Sequence, residues 1–450
     1  MTSFTLLFQD PAFAAAGPAR LRAAVGALLL VGVAWVFSTD RTKVSWRIVG
    51  WGLALQLAFA ILVLQTPVGV AFFDWMNGLV RALLGYAEQG GRFIFGNLVS
   101  DNVPVGTVDG GQPFTATPGV VAQTGAFFAF RIFPNIIFIS CLMTVLYHLG
   151  IMQFVVRGFA SVMQRTMKTS GAETLCTASN IFVGMMESPL VVKPFVKDMT
   201  ESELMVLMTA GMATISGGVL AAYAGMMVPF HPEAAGHLIA ASVMSAPAAF
   251  VMAKLLVPET GMPKTLGTLD VEQVDKPDVN VIDAAARGAT EGLRLALVVG
   301  AMLIAFVALV SMANGIVGWI GGLGGIDGLT IERMFGWVLA PVAWMLGIGW
   351  ADAGVVGQLI GVDFVVNEFV AFVQLEALLQ AGTELEPRSL VIAIYALATF
   401  ANFGSVAMTI AGVGEIAPSR RHDLARLGIK AMFAGLLAAL LTATFAGMLV

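Results

Sequence analysis

Residues 177–190 read Thr-Ala-Ser-Asn-Ile-Phe-Val-Gly-Met-Met-Glu-Ser-Pro-Leu, and they lie inside a long apolar region. Between Asn180 and Pro189 the run holds an amide, a glycine, a carboxylate and a proline. Proline removes a backbone donor, and glycine costs a helix about 1 kcal/mol relative to alanine. A continuous spanning helix does not readily hold such a run. A helix that enters the bilayer, breaks between Gly184 and Pro189 and turns back does. Irregular backbone at membrane depth survives only where protein buries it or a wet cavity receives it. An ionisable side chain at that depth marks a candidate functional site.

That the setting is a membrane follows from composition. Of 450 residues, 58% are hydrophobic and only 12% are charged, too few charges for a soluble chain of this size. The formal net charge of -5 says little, because charge placement matters more than the sum. Cys141 and Cys176 both fall in apolar segments and read as buried free thiols rather than a disulfide framework. The four histidines show no metal-ligand spacing. The stretch from Met1 to Pro18 lacks a basic leader and is expected not to be a removed signal peptide.

A second stretch has the character of the first. Asn367-Glu368-Phe369 again sets an amide beside a carboxylate after a glycine-rich apolar segment. Each stretch is followed by an interrupted apolar segment, residues 208–218 after Glu187 and residues 398–405 after Glu368. Paired glycine- or proline-interrupted segments in corresponding places of two halves are the best sequence pointer to a transporter site. With ~20 residues per span, the pattern predicts an all-α polytopic membrane protein. It has about eight transmembrane helices plus two oppositely oriented re-entrant hairpins in an inverted repeat. The expected divisions are N-terminal scaffold and interfacial helices (1–170), the first hairpin and broken helix (171–258), and a cytoplasmic loop with a scaffold helix (259–320). The second hairpin and broken helix (321–426) and a C-terminal transmembrane helix (427–450) complete them. Residues 100–124 read as an external loop, and residues 334–374 as the second hairpin region.

Orientation follows from Lys and Arg, which concentrate in cytoplasmic loops. Residues 41–47, 157–168, 264–287 and 420–430 are basic, whereas 100–124, 229–237 and 321–332 lack both residue types. The assignments alternate only if both termini are outside. They put the first hairpin on the cytoplasmic side and the second on the outer side, with the tips meeting near the bilayer midplane.

The residues that carry these features resemble the concentrative nucleoside transporter family over nearly the whole chain. The matching stretches are Phe133-Pro134-Asn135, Leu146-Tyr147-His148-Leu149-Gly150, Gly171-Ala172-Glu173, Asn180-Ile181-Phe182-Val183-Gly184 and Glu187-Ser188-Pro189-Leu190. They continue with Ala213-Thr214-Ile215-Ser216-Gly217, Leu339-Ala340-Pro341, Asn367-Glu368-Phe369 and Phe400-Ala401-Asn402-Phe403-Gly404-Ser405. Each is short, and their order and number make the match specific. The resemblance implies a homotrimer in the membrane, with a scaffold part and a mobile part in each protomer, coupling nucleoside uptake to a cation gradient. Na⁺ is the probable coupling ion and H⁺ the other candidate. It implies no enzyme activity, no further cofactor, no nucleic-acid partner, and a bacterial-type inner (plasma) membrane.

Carried over by match, Glu187 lies at the base-reading tip, while Glu368, Asn402 and Ser405 bind the ribose and Phe400 lies against the base. The implied Na⁺ ligands fall on Asn180, Val183, Thr214 and Ile215. Two departures stand out. Met185 and Met186 replace a Gln-Thr pair at the tip, and methionine cannot offer the paired hydrogen bonds of an amide. The alternative is therefore the same machine carrying a modified nucleoside or another polar solute. Asp363 stands where the family more often has Lys.

Taken singly, several of these residues have plainer uses. Glu187 and Glu368 also suit structural acids held by helix ends, a reading weaker than the functional one, Asn180 a helix-end cap, and Thr214 a back-bonded helix residue. Glu173 suits a cap or ion pair at the hairpin base, and His148 a packed interfacial place. An intramembrane enzyme is disfavoured, since the chain has neither His-Glu-x-x-His nor Gly-x-Ser-x-Gly. A channel is disfavoured because two hairpins imply gating on both sides.

Overall fold

The computed structural model describes residues 17–99, 102–107, 115–123, 128–267 and 278–450. Most of the segment from Met1 to Pro18, parts of the external loop and part of the 259–320 loop lie outside these residues. The described residues open with two apolar helices, α1 (Gly17–Val36) and α2 (Trp46–Gln65). The apolar run that starts at Val49 continues to Phe73. The span ends earlier, because Thr66 accepts a hydrogen bond from Gly69 N and Pro67 starts a new helix, α3 (Pro67–Phe95). Proline at the first helical position forfeits a donor that would be orphaned anyway. The expected external loop contains an antiparallel pair, β1 (Asn102–Thr107) and β2 (Thr115–Gln123).

From residue 128 the same series of elements runs twice. The first series begins with α4 (Phe128–His148) and α5 (Ile151–Met167), which meet at a bend of 78°. A hairpin follows, made of α6 (Gly171–Asn180), a loop, a 3-10 turn (Ser188–Val192) and the single-turn α7 (Lys193–Val196). Next come a span broken into α8 (Glu201–Ala213) and α9 (Gly217–Met227), and the continuous α10 (Ala234–Leu256).

The second series begins with α11 (Val281–Leu323) and α12 (Ile331–Met345). Its hairpin has arms α13 (Trp350–Val365) and α14 (Glu368–Gln380), and α12 meets α13 at 116°. A broken span, α15 (Pro387–Leu397) and α16 (Phe403–Ile416), precedes α17 (Arg421–Leu449). The single hairpin region expected over 334–374 therefore divides into a separate amphipathic helix and a longer hairpin, with Thr330 capping the former through Arg333 N at 3.1 Å.

Among the described residues, six helical stretches are long and apolar enough to cross a membrane: α1, α2, α8 with α9, α10, α11 and the stretch Pro418–Leu449. Among the described residues the number rises to eight, as expected, if each of the two bent pairs, α4 with α5 and Ile331–Met345 with Trp350–Val365, is taken as one span. At 43 residues α11 is about 65 Å long, well over the ~30 Å hydrocarbon core. It lies against α4 through Gly288 and Gly292, where any Cβ would crowd Cys141, Thr144, Ile137 and Ser140. Small residues four apart let two membrane helices approach closely.

Hydrogen bonds between distant elements show the opposite insertion of the hairpins. At one end of the bundle, Thr39 N donates to Leu256 O at 2.9 Å and Gly171 N to Thr265 O at 2.8 Å. Arg420 there donates to Lys197 O at 3.2 Å. This end holds the base of the first hairpin. At the other end, Arg20 Nη2 donates to Val450 O at 3.3 Å, and Arg22 Nη2 to Ile348 O at 2.7 Å. Arg388 Nε donates to Gly347 O at 3.2 Å. This end holds the base of the second hairpin and the start of α1. The arginines rest on carbonyls left over at helix ends, which favour positive charge.

Candidate substrate and ion site

The breaks in the two broken spans cross. Thr399 Oγ1 and Phe400 N both donate to Met212 O, each at 2.7 Å. A spanning helix that opens at 214–216 or 398–402 strands backbone groups in the bilayer, and each break supplies partners to the other. Gly435 of α17 packs where a Cβ would press on Met212 and Ala401, so a third helix closes the crossing.

The second hairpin brings its acid to this crossing. Glu368 is the first residue of α14, whose N-cap is Asn367, with Oδ1 accepting from Val370 N at 2.8 Å. The carboxylate is buried. Its Oε1 accepts from Tyr223 Oη at 3.0 Å and its Oε2 from Asn402 Nδ2 at 2.8 Å. A helix N-terminus also favours a negative charge. Asn402 works in both directions: its Oδ1 caps α16, accepting from Ser405 N at 3.0 Å and Ser405 Oγ at 3.2 Å. Glu368, Asn402 and Ser405 are thus one connected set, with Phe400 buried two residues away in the break.

The first hairpin is arranged differently. Gly184 leaves room for Glu187, whose Oε2 occupies the space a Cβ at 184 would take. Glu187 and Met186 are exposed, whereas Met185 is buried. Met185 Sδ accepts from Thr409 Oγ1 at 3.4 Å, and Met186 packs against Gly412, so both methionines bear on α16. Among the described residues, no hydrogen-bond partner is shared by Glu187 and Glu368.

The four residues matched to the ion lie on two adjoining segments. Gly217 N donates to Phe182 O at 3.1 Å, which ties the hairpin loop to the break after α8. Ser242 Oγ of α10 donates to Ile181 O at 3.1 Å and lies 3.5 Å from Ile215 O. Asn180 Nδ2 donates to Cys176 O at 3.2 Å, and its Oδ1 accepts from Ser188 Oγ at 2.7 Å. Thr214 Oγ1 donates to Ala210 O at 2.9 Å, which leaves its lone pairs free. Neutral side-chain oxygens and unwound carbonyls are what a monovalent cation needs at such a place.

The sequence reading missed two residues. Tyr223 carries no motif, yet it is fully buried, stacks on Phe372 at 4.2 Å and donates to Glu368. Lys254 pairs with Glu173 at 2.7 Å and with Glu259 at 3.3 Å, and it and Glu173 are almost fully buried. A lysine inside an apolar run was the available signal. Glu173 and Glu203 each complete a capping box, with Ser170 and Thr200, and Ser170 Oγ donates to Glu203 Oε1 at 2.6 Å. The base of the first hairpin is therefore a closed polar network.

Two interrupted repeats of opposite insertion, with an acid and amides at the crossing of their breaks, define a secondary transporter rather than an enzyme. The comparisons with known proteins make this specific. Three family models match in succession: the Na⁺ dependent nucleoside transporter N-terminus over residues 25–98, nucleoside recognition (Gate) over 129–230, and the Na⁺ dependent nucleoside transporter C-terminus over 237–447. An uncharacterized transporter of Haemophilus influenzae is 41% identical over 433 residues, covering 96% of this chain and 98% of its own. The sodium/nucleoside cotransporter 2 of Rattus norvegicus is 36% identical over 444 residues, covering 96% of this chain and 63% of its own. CNTnw in an inward-facing substrate-bound state has 40% identity and a TM-score of 0.85, covering 96% of this chain and 98% of that one. A variant of CNTnw has also been solved in an outward-facing state. The chain belongs to the concentrative nucleoside transporter family, a sodium-dependent family of multi-pass membrane proteins with alternating-access structures.

Proposed function

We propose that the protein imports nucleosides by symport with Na⁺, across a bacterial-type inner membrane. Residues 171–258 and 321–426 move against a scaffold of residues 1–170, 259–320 and 427–450. Glu368, Asn402 and Ser405 hold the ribose, and Phe400 and the Glu187 tip lie by the base. Asn180, Val183, Thr214 and Ile215 hold the ion. The observation that carries this reading is the Glu368 carboxylate, oriented by Tyr223 and Asn402 at the crossing of the two breaks. A carboxylate with an amide beside it matches vicinal hydroxyls through charge-assisted hydrogen bonds. The family description supports Na⁺ over H⁺. A homotrimer completes the reading, supported by the exposed apolar face of α11, including Ile304, Met312 and Trp319.

The test is radiolabelled uptake into proteoliposomes across a nucleoside panel, with imposed Na⁺ or H⁺ gradients. Glu368→Gln is expected to abolish uptake in a protein that still folds, and full uptake by that variant would remove Glu368 from substrate binding. Collapse by a protonophore with no response to Na⁺ would reassign the coupling ion to H⁺. A second reading, a modified nucleoside or another polar solute, is favoured by one observation. The two side chains at the tip that pack against α16 are thioethers rather than an amide and a hydroxyl.

A further inference from the structure

The four histidines carry no recognisable metal spacing in sequence, yet folding gathers two of them with a carboxylate. His231 lies in the turn between α9 and α10, Glu233 ends that turn, and His237 is in the first turns of α10. One ligand atom from each of the three falls within 4.8 Å of the other two. The imidazole rings are 5.2 Å apart at 32°. His237 Nδ1 lies 3.3 Å from Tyr395 Oη, and its ring packs on Phe73 at 4.9 Å. The ring is thus held from two sides. His231 Nε2 is buried and has no hydrogen-bond partner among the described residues. The turn is fastened to α3, where Asn77 Oδ1 accepts from Gly236 N at 2.9 Å and Arg81 Nη2 donates to Pro232 O at 3.4 Å.

We propose that His231, Glu233 and His237 form a binding site for a divalent ion of the zinc class, at the end of α10 opposite the first hairpin's base. Two imidazoles and one carboxylate with a fourth position open to water are a zinc donor set. Hard cations such as Mg²⁺ prefer oxygen ligands and are poorly served by it. Metal–ligand bonds of ~2.0–2.2 Å need ligand atoms roughly 3.4 Å apart, closer than the 4.8 Å limit here. Glu233 is exposed and free to supply the closure. With Nε2 of His237 as the ligand, the Tyr395 contact at Nδ1 is the outer hydrogen bond that fixes such an imidazole. Without a metal, the same histidines would amount to an aromatic cluster with one nitrogen left unpaired at a cost.

The test uses the full-length, untagged, metal-stripped protein in detergent, without substrate, so its outcome is independent of the transport reading. Titration with Co²⁺ is followed by visible d–d absorption. The expected result is one ion per chain, displaced by Zn²⁺ but not by Mg²⁺, with affinity weakened at least tenfold in His231→Gln and in Glu233→Gln. Because Glu233 is exposed, Glu233→Gln removes a ligand without opening the core. Absence of saturable absorption, or unchanged affinity in both variants, would overturn the site.

Discussion

The two hairpins are related by the repeat but carry their acids in opposite ways. In the second, two full helices of 16 and 13 residues present Glu368 at a helix N-terminus, with both carboxylate oxygens engaged. In the first, a ten-residue helix is answered only by a 3-10 turn and one turn of α-helix, and Glu187 sits on the exposed tip over Gly184. Their bases differ as well. The first is closed by a buried ammonium between Glu173 and Glu259, the second by guanidinium groups on carbonyls at the molecule's edge. One hairpin thus has a base closed by a buried ion pair and a loosely held tip, the other an engaged tip and a base held by half-buried guanidinium groups.

The largest test of that contrast is at the bases. Lys254→Met leaves Glu173 buried without its partner, which should cost about 3–5 kcal/mol, the range for breaking a buried pair from one side. Lys254→Met with Glu173→Gln should recover much of the loss. Arg388→Met strands neutral carbonyls rather than a buried charge, so it should cost less than Lys254→Met. Thermal unfolding in detergent measures all three variants. Equal destabilisation by Lys254→Met and Arg388→Met would erase the proposed difference between the bases.

The next largest effect concerns the second tip. Tyr223→Phe removes one of two donors to Glu368, a hydrogen bond to a charged group worth ~1.5–3 kcal/mol. With the stacking on Phe372 retained, the loss should appear as an uptake KM raised by about tenfold or more. A variant with the KM of the parent would show that Asn402 and the helix end suffice to orient the acid.

Much of this arrangement was legible before any coordinates. Gly184, Pro189 and Glu187 announced a break, and the repeat of amide beside acid at Asn367-Glu368 announced its partner. Lys and Arg placement then required opposite insertion. What stayed hidden depended on cross-chain geometry. Tyr223 lies in an apolar run with no local signal, and its role comes from α9 packing against α14. Asn402 looked like a substrate ligand alone, whereas its amide also caps α16. The boundary between α12 and α13 was invisible to hydropathy because the connecting Leu346-Gly347-Ile348-Gly349 is itself apolar, and a bend of 116°, not a polar loop, divides them.

A smaller effect is expected at the ion position. Asn180→Ala removes the oxygen that accepts from Ser188 and that is proposed to hold the cation. The Na⁺ concentration for half-maximal uptake should rise about tenfold, equivalent to ~1.4 kcal/mol, with nucleoside KM at saturating Na⁺ little changed. An unchanged Na⁺ dependence would return Asn180 to the role of a helix-end cap.

The smallest effect separates the hairpin tips most sharply. Met185 and Met186 can recognise a base only by packing, and a shape fit to an apolar pocket discriminates weakly, by ~1–3 kcal/mol per methylene-sized difference. Met185→Gln with Met186→Thr adds an amide and a hydroxyl at the tip and should shift the ratio of purine to pyrimidine uptake by up to tenfold. Total uptake of the best substrate should stay within a few-fold. Because Met185 is buried on Thr409, the single Met186→Thr variant serves as control, since its exposed site tolerates polarity without repacking. If neither variant changes the substrate profile, the first tip gates access rather than reading the base. Selectivity would then rest on Phe400 and the Glu368 set alone, and the looser tip would be the moving part of the hairpin instead of its reader.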